Sequence, residues 1–178
     1  MEYVTGIGPR SDEIVALFTE TFTASEGADE GRLIGALARD LIEHTAPQDI
    51  IVVSAKDISG LAGAIMFTRL SYDDPRRVFL LAPVAVAPDR QGAGIGQALI
   101  SFGLDRLRVA GVDIVVTYGD PGFYSRVGFR AISEEIAPAP RTLSMPHGWQ
   151  AQSLTEAPLG RLTGPCGCVA AFDNPVYW

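Results

Sequence analysis

Val84-Ala-Val-Ala-Pro-Asp-Arg-Gln-Gly-Ala-Gly-Ile-Gly-Gln97 decides the fold. An apolar run reading as a strand passes into a polar turn, glycines follow at 92, 94 and 96, and a helix opens at once. Successive main-chain N–H groups over residues 91–96 face one concavity, and the helix start adds partial positive charge. Glycine lets an anion approach the backbone closely and accepts positive φ. The stretch therefore reads as an anion cradle. The plainer alternative is a helix start that needs small residues for packing, at a cost in helix stability from the glycines.

A nucleoside-triphosphate loop requires Lys and then Ser or Thr after its last glycine, and Gly96 is followed by Gln97-Ala98, which excludes it. The dinucleotide fingerprint fares little better. Gln97 stands where its third small residue belongs, and residues 1–91 precede a motif that normally opens such a domain, although Asp120 lies at a distance suited to a ribose-binding acid.

Outward from the cradle, residues 78–87 read as a strand covered on both faces and residues 94–110 as a long helix, with Ile95, Leu99, Ile100, Phe102, Leu104 and Leu107 buried and Gly111 closing it. Upstream, a strand over 3–7 precedes a helix capped at Ser11, with Ile14, Leu17, Phe18 and Thr21 along one face. A second helix covers 29–43, with Leu33, Ile34, Leu37, Leu41 and Ile42 as its apolar side. Strands over 50–55 and 61–70 flank a turn at Lys56-Asp57, and residues 71–77 form a polar loop. Downstream come a strand over 113–118, a short helix over 121–126, then shorter strands and loops, with a strand through 168–172. The fold class is mixed α/β, one domain over 1–178 with its core in 1–130 and the remainder as strands and loops of the same domain.

Composition bounds the function. With 14 Lys and Arg against 21 Asp and Glu, the net charge of -7 argues against general attraction to nucleic acid or anionic membranes. Apolar residues at 47% against charged ones at 20% exclude disorder. The longest apolar run, over 78–87, falls short of the roughly 20 residues that a spanning helix needs. No basic segment precedes an apolar core near Met1, so the expected location is the cytoplasm. Cys166 and Cys168 read as reduced structural thiols, and His44 and His147 lack the spacing that would complete a metal site with them.

Gln91-x-x-Gly94-x-Gly96 after Val-Ala-Val-x-Pro resembles the first signature of the GCN5-related N-acetyltransferases, the GNAT family. Gly119-Asp-Pro-Gly-Phe-Tyr-Ser-Arg-Val-Gly-Phe129 is similar to the second, in the wording of a subgroup of bacterial acetyltransferases. The resemblance covers 1–130 in element order and is weaker over 131–178. It implies a central, mostly antiparallel sheet with splayed strands and flanking helices, and acetyl-CoA as co-substrate without a metal. The pantetheine arm would lie in a gap between strands, against the main chain of Val84, Ala85 and Val86. Gln91, Gly92, Gly94, Ile95, Gly96 and Gln97 would hold the diphosphate through their amides. A backbone N–H near Val86 would stabilise the oxyanion, and Tyr124 would act as general acid toward the leaving sulfur.

Asp120 stands where relatives carry a pantetheine-binding Asn, but a carboxylate cannot donate as an amide does. It reads either as a cofactor contact or as the cap of the short helix. Tyr124 equally fits a core tyrosine, and Phe123 reads as packing. Glu26, Asp73, Asp74 and His147 are candidates for the base, and none declares itself. The implied reaction is acetyl transfer to a primary amine of a small molecule or peptide. A non-catalytic acyl-CoA sensor is the alternative, and a longer acyl group is a third reading. Val176-Tyr177-Trp178 either packs back on the domain or forms a homodimer contact.

Overall fold

Acidic residues at the start of an amphipathic segment favour a helix, and Asp12 and Glu13 open one of two that follow the first strand. The computed structural model describes residues 1–178. Strand β1 (Glu2–Thr5) leads to α1 (Ser11–Glu26) and α2 (Ala28–His44). Ser11 does not cap α1: a 3-10 turn over Gly8–Arg10, set by Pro9, precedes it, and Arg10 takes the cap position without a side-chain bond. Ile14, Val15, Leu17, Phe18 and Thr21 are buried on α1, while Leu33 and Ile42 on α2 are only half-buried. The two helices approach closely. A Cβ on Gly31 would fall 1.9 Å from Thr23 Oγ1, and one on Gly35 would fall 2.1 Å from Thr19 Oγ1.

Strands β2 (Ile50–Asp57), β3 (Gly60–Ser71) and β4 (Val78–Val86) come next. Lys56-Asp57 belongs to β2, and the turn falls at Ile58-Ser59, where Asp57 Oδ1 accepts from Ser59 N at 2.8 Å. That local bond moves the reversal one step past the charged pair. Helix α3 (Ile95–Val109) connects β4 to β5 (Ile114–Tyr118), and a short α4 (Pro121–Tyr124) follows. The chain closes with β6 (Arg130–Ala131), β7 (Trp149–Ser153) and β8 (Gly167–Cys168). Residues Ala170–Phe172 form a 3-10 turn where a strand was expected, because the pairing of β8 with β3 ends at Cys168 opposite Leu70.

The strand order is β1-β2-β3-β4-β5-β7-β6, with β8 on β3. The β4–β5 pair is parallel, and the β1–β2, β5–β7, β6–β7 and β3–β8 pairs are antiparallel. The chain divides into two compact units, residues 1–67 with 83–103 and residues 68–82 with 104–178. The core of the first includes Phe18, Leu41, Ile65, Phe67 and Leu99. In the second, Phe79, Val115, Phe129 and Trp149 are buried, and Trp178 joins them. Its indole donates to Phe172 O at 2.9 Å, and its ring stacks on Tyr118. The tail thus packs back onto its own unit. No helix is long and apolar enough to cross a membrane.

Candidate active site

The residues singled out in the sequence fall into two sets, one in each unit. In the first, β4 reaches its end at Val86. Ala87 N donates to Ala62 O at 2.9 Å, so Ala87 faces β3. Strand periodicity turns the polar groups of Ala85 the same way and those of Val84 and Val86 away. Of the three residues expected to offer free main chain, Ala85 is therefore committed to the sheet. The Val86 carbonyl is also occupied: Gln91 Nε2 donates to it at 3.1 Å and Thr21 Oγ1 at 3.3 Å. What Val86 retains is its N–H.

The turn Pro88–Arg90 then redirects the chain, with Arg90 N donating to Ala87 O at 2.8 Å. Arg90 reaches the β2–β3 hairpin, where Nη1 meets Asp57 Oδ2 at 2.6 Å. This guanidinium, helped by the Ser59 N–H, holds the Asp57 carboxyl below its ordinary value. Gly92 and Gly94 follow with φ of +77° and +78°, and a Cβ on either would meet no atom within 4 Å. That open, left-handed geometry is what the sequence required of a cradle. The first α3 bond runs from Ala98 N to Gly94 O at 3.0 Å. The amides of Ile95, Gly96 and Gln97 lie ahead of it and have no acceptor within the helix. A cavity of about 450 Å³ borders the loop, lined in part by Tyr3, Arg90, Gln91, Gly94, Ile95 and Ala98. The residues present suit a diphosphate.

In the second unit, the ladder between β4 and β5 ends at Leu81 opposite Thr117. Gly119 and Asp120 then lead into α4. Asp120 caps this helix: Oδ1 accepts from Gly122 N at 2.9 Å, and its carbonyl accepts from Phe123 N and Tyr124 N. The cap reading is the one the geometry realises. Tyr124 is 9% exposed, edge-on to Phe123 and Phe129. Burial raises its phenol above the ordinary value; contact with the Thr117 hydroxyl opposes this, and the Asp120 charge reinforces it. A phenol so held stays protonated, as a proton donor must. Gly119 packs against the Tyr124 ring, and Thr117 Oγ1 donates to Leu81 O at 2.9 Å.

The candidates for the base fare differently. Asp74 is spoken for: Arg76 Nε and Nη2 each donate to it at 2.8 Å, its side chain is 5% exposed, and the guanidinium holds the carboxyl far below its usual range. Glu26, Asp73 and His147 are exposed. Cys166 and Cys168 are free thiols. Burial pushes Cys166 up to about 12 beside the Tyr72 hydroxyl, which suits an inert side chain. Sequence reasoning missed the roles of Thr21, Asp57, Arg90 and Thr117, whose contributions are contacts across the fold and leave no local pattern.

Comparison with known proteins identifies the family. Residues 46–131 match the family model of the acetyltransferase (GNAT) domain. The uncharacterised N-acetyltransferase YjhQ of Escherichia coli K12 is 32% identical over 164 residues, covering 89% of this chain and 86% of the relative. The crystal structure of the GNAT-family N-acetyltransferase YhbS from Escherichia coli in complex with CoA superposes with a TM-score of 0.79 at 26% identity, over 97% of this chain and 92% of that one. A GNAT-family acetyltransferase from Brucella melitensis in complex with acetyl-CoA gives a TM-score of 0.70 at 26% identity, over 97% of both chains. With its signatures, its mixed sheet and these relatives, the chain belongs to the GNAT family of N-acetyltransferases and is an acetyl-CoA-dependent acyltransferase.

Proposed function

We propose that residues 1–178 act as one domain that transfers acetyl from acetyl-CoA to a primary amine on a small molecule or peptide. The observation that carries this reading is the pair Gly92 and Gly94, both left-handed and open where a Cβ would stand, directly before α3. Their loop and the amides of Gln91, Ile95, Gly96 and Gln97 would hold the diphosphate. The main chain of Val84 and the N–H of Val86 would meet the pantetheine arm and the reacting carbonyl. Asp120 would contribute by capping α4 rather than by binding the arm.

The amine lone pair attacks the thioester carbonyl carbon, forming the C–N bond. The resulting oxyanion draws on the Val86 N–H. Collapse breaks the C–S bond, and Tyr124 gives its hydroxyl proton to the departing thiolate, to be reprotonated from solvent. The surplus proton of the amine leaves to water. The chain's net charge of -7 favours a cationic acceptor, such as a polyamine, an amino sugar or a lysine side chain.

A thiol-release assay with acetyl-CoA and a panel of such amines tests the reading. Release that depends on amine, with acetylated product, supports it. Release only with thiols or hydroxyl compounds would contradict it.

A further inference from the structure

The carbonyl of Val86 is a junction. Thr21 reaches it from α1 at 3.3 Å and Gln91 from the cradle loop at 3.1 Å, so two distant side chains share one acceptor at the end of β4. We infer that Thr21 and Gln91 are positioning residues, which couple helix α1 to the diphosphate cradle through the Val86 carbonyl. The inference rests on the acetyl-CoA reading above and extends it to side chains that touch neither sulfur nor phosphate.

Thr21 lies on the apolar face of α1 and is 7% exposed, among Ile14, Leu17 and Phe18. A hydroxyl there costs stability unless it is bonded. Its donation to Val86 is thus a constraint on both partners. Val86 O points away from β3, as the bond from Ala87 N to Ala62 O requires, so no neighbour in β3 can satisfy it. Fixing this carbonyl fixes the peptide into Ala87, and the turn through Arg90 begins there.

Gln91 closes the same loop from its far side. Its side-chain amide is spent on the chain itself, which leaves its main-chain N–H as the group it can present to an anion. Gly92 and Gly94 have the freest backbones in the segment and depend on an anchored neighbour to hold one shape. The Val86 clasp supplies that anchor, and α1 participates in it through Thr21.

The test is a set of variants, T21V, T21S, Q91A and the double T21V/Q91A. Each is titrated with CoA by calorimetry and assayed for kcat/KM with S-acetylpantetheine, a donor without the diphosphate. T21V and Q91A should each weaken CoA about fivefold, the typical worth of one hydrogen bond. T21S should bind as wild type does. The double variant should lose less than the product of the single losses, because the two donors act through one oxygen. For T21V, turnover of S-acetylpantetheine should stay within about twofold of wild type.

Unchanged CoA binding in both single variants overturns the inference, as do losses that multiply independently. A parallel fall of T21V with S-acetylpantetheine also overturns it, since that is general loosening rather than a cradle effect. Wild type that fails to bind CoA at all refutes the acetyl-CoA reading itself, and is thereby told apart from a failure of the coupling.

Discussion

Gly119 lies so close to Tyr124 that a Cβ on it would stand 2.9 Å from the ring carbon Cε2. The glycine that follows β5 thus makes room for the phenol that we propose as general acid. On its other side, Gly119 N donates to Gly148 O at 3.0 Å and Gln150 Nε2 donates to Gly119 O at 3.2 Å, so the backbone cannot yield to a larger side chain.

Gly119→Ala should therefore displace the Tyr124 ring while leaving the cradle untouched. Small shifts of a reacting group are costly, so kcat should fall roughly 10- to 100-fold with the KM for acetyl-CoA nearly unchanged. Steady-state kinetics on the folded variant checks this; a rise in KM at constant kcat would oppose it.

Tyr124→Phe should lower kcat by about 100-fold or more, the usual contribution of a placed general acid. Because the phenol is raised above its ordinary value of 10.0, it stays protonated as pH rises through that value. Any loss of wild-type kcat from this group should have its midpoint above pH 10.0. An alkaline limb between neutrality and that point, absent from Tyr124→Phe, would speak against the raised phenol.

Asp74 links stability to acid. Its folded value is depressed by Arg76, so its stabilising contribution is complete above the ordinary carboxylate value of 3.8 and is lost as pH falls toward and through the lower folded value. Asp74→Asn should be less stable than wild type at neutral pH, and the gap should narrow as pH drops below about 4. Urea midpoints measured across that window decide it; a gap independent of pH would remove the ion pair from the account.

Trp178 is 5% exposed, bonded to Phe172 O and packed on Tyr118 and Trp149. Trp178→Ala should cost about 3–5 kcal/mol in unfolding free energy, as expected for a buried aromatic. A loss under about 1 kcal/mol would show that the ring's packing is not held in solution.

Much of this architecture is legible in the chain itself, because the informative residues act locally. The glycines at 92, 94 and 96 announce a cradle, and the alternation of Leu99, Leu104 and Leu107 announces the helix behind it. What escapes is set by contacts at a distance. Strand β7 reads poorly because Gln150, a polar residue buried to 1% exposure, bonds the carbonyls of Gly119 and Gly148 instead of facing water. Helix α1 does start at Ser11, but Ser11 only looks like its cap, since Pro9 places a 3-10 turn ahead of it and Arg10 takes the cap position. Likewise Gly119 gives no sign that it adjoins Tyr124, and Thr21 looks like one more face residue until Val86 is beside it.

On the proposed reading, main-chain amides before α3 grip the diphosphate of acetyl-CoA. It is tested most directly by kcat/KM for acetyl-CoA against S-acetylpantetheine, which carries the same thioester without the nucleotide diphosphate. Several charge-assisted bonds predict a preference for acetyl-CoA of at least about 100-fold. Equal values for the two donors would contradict the account.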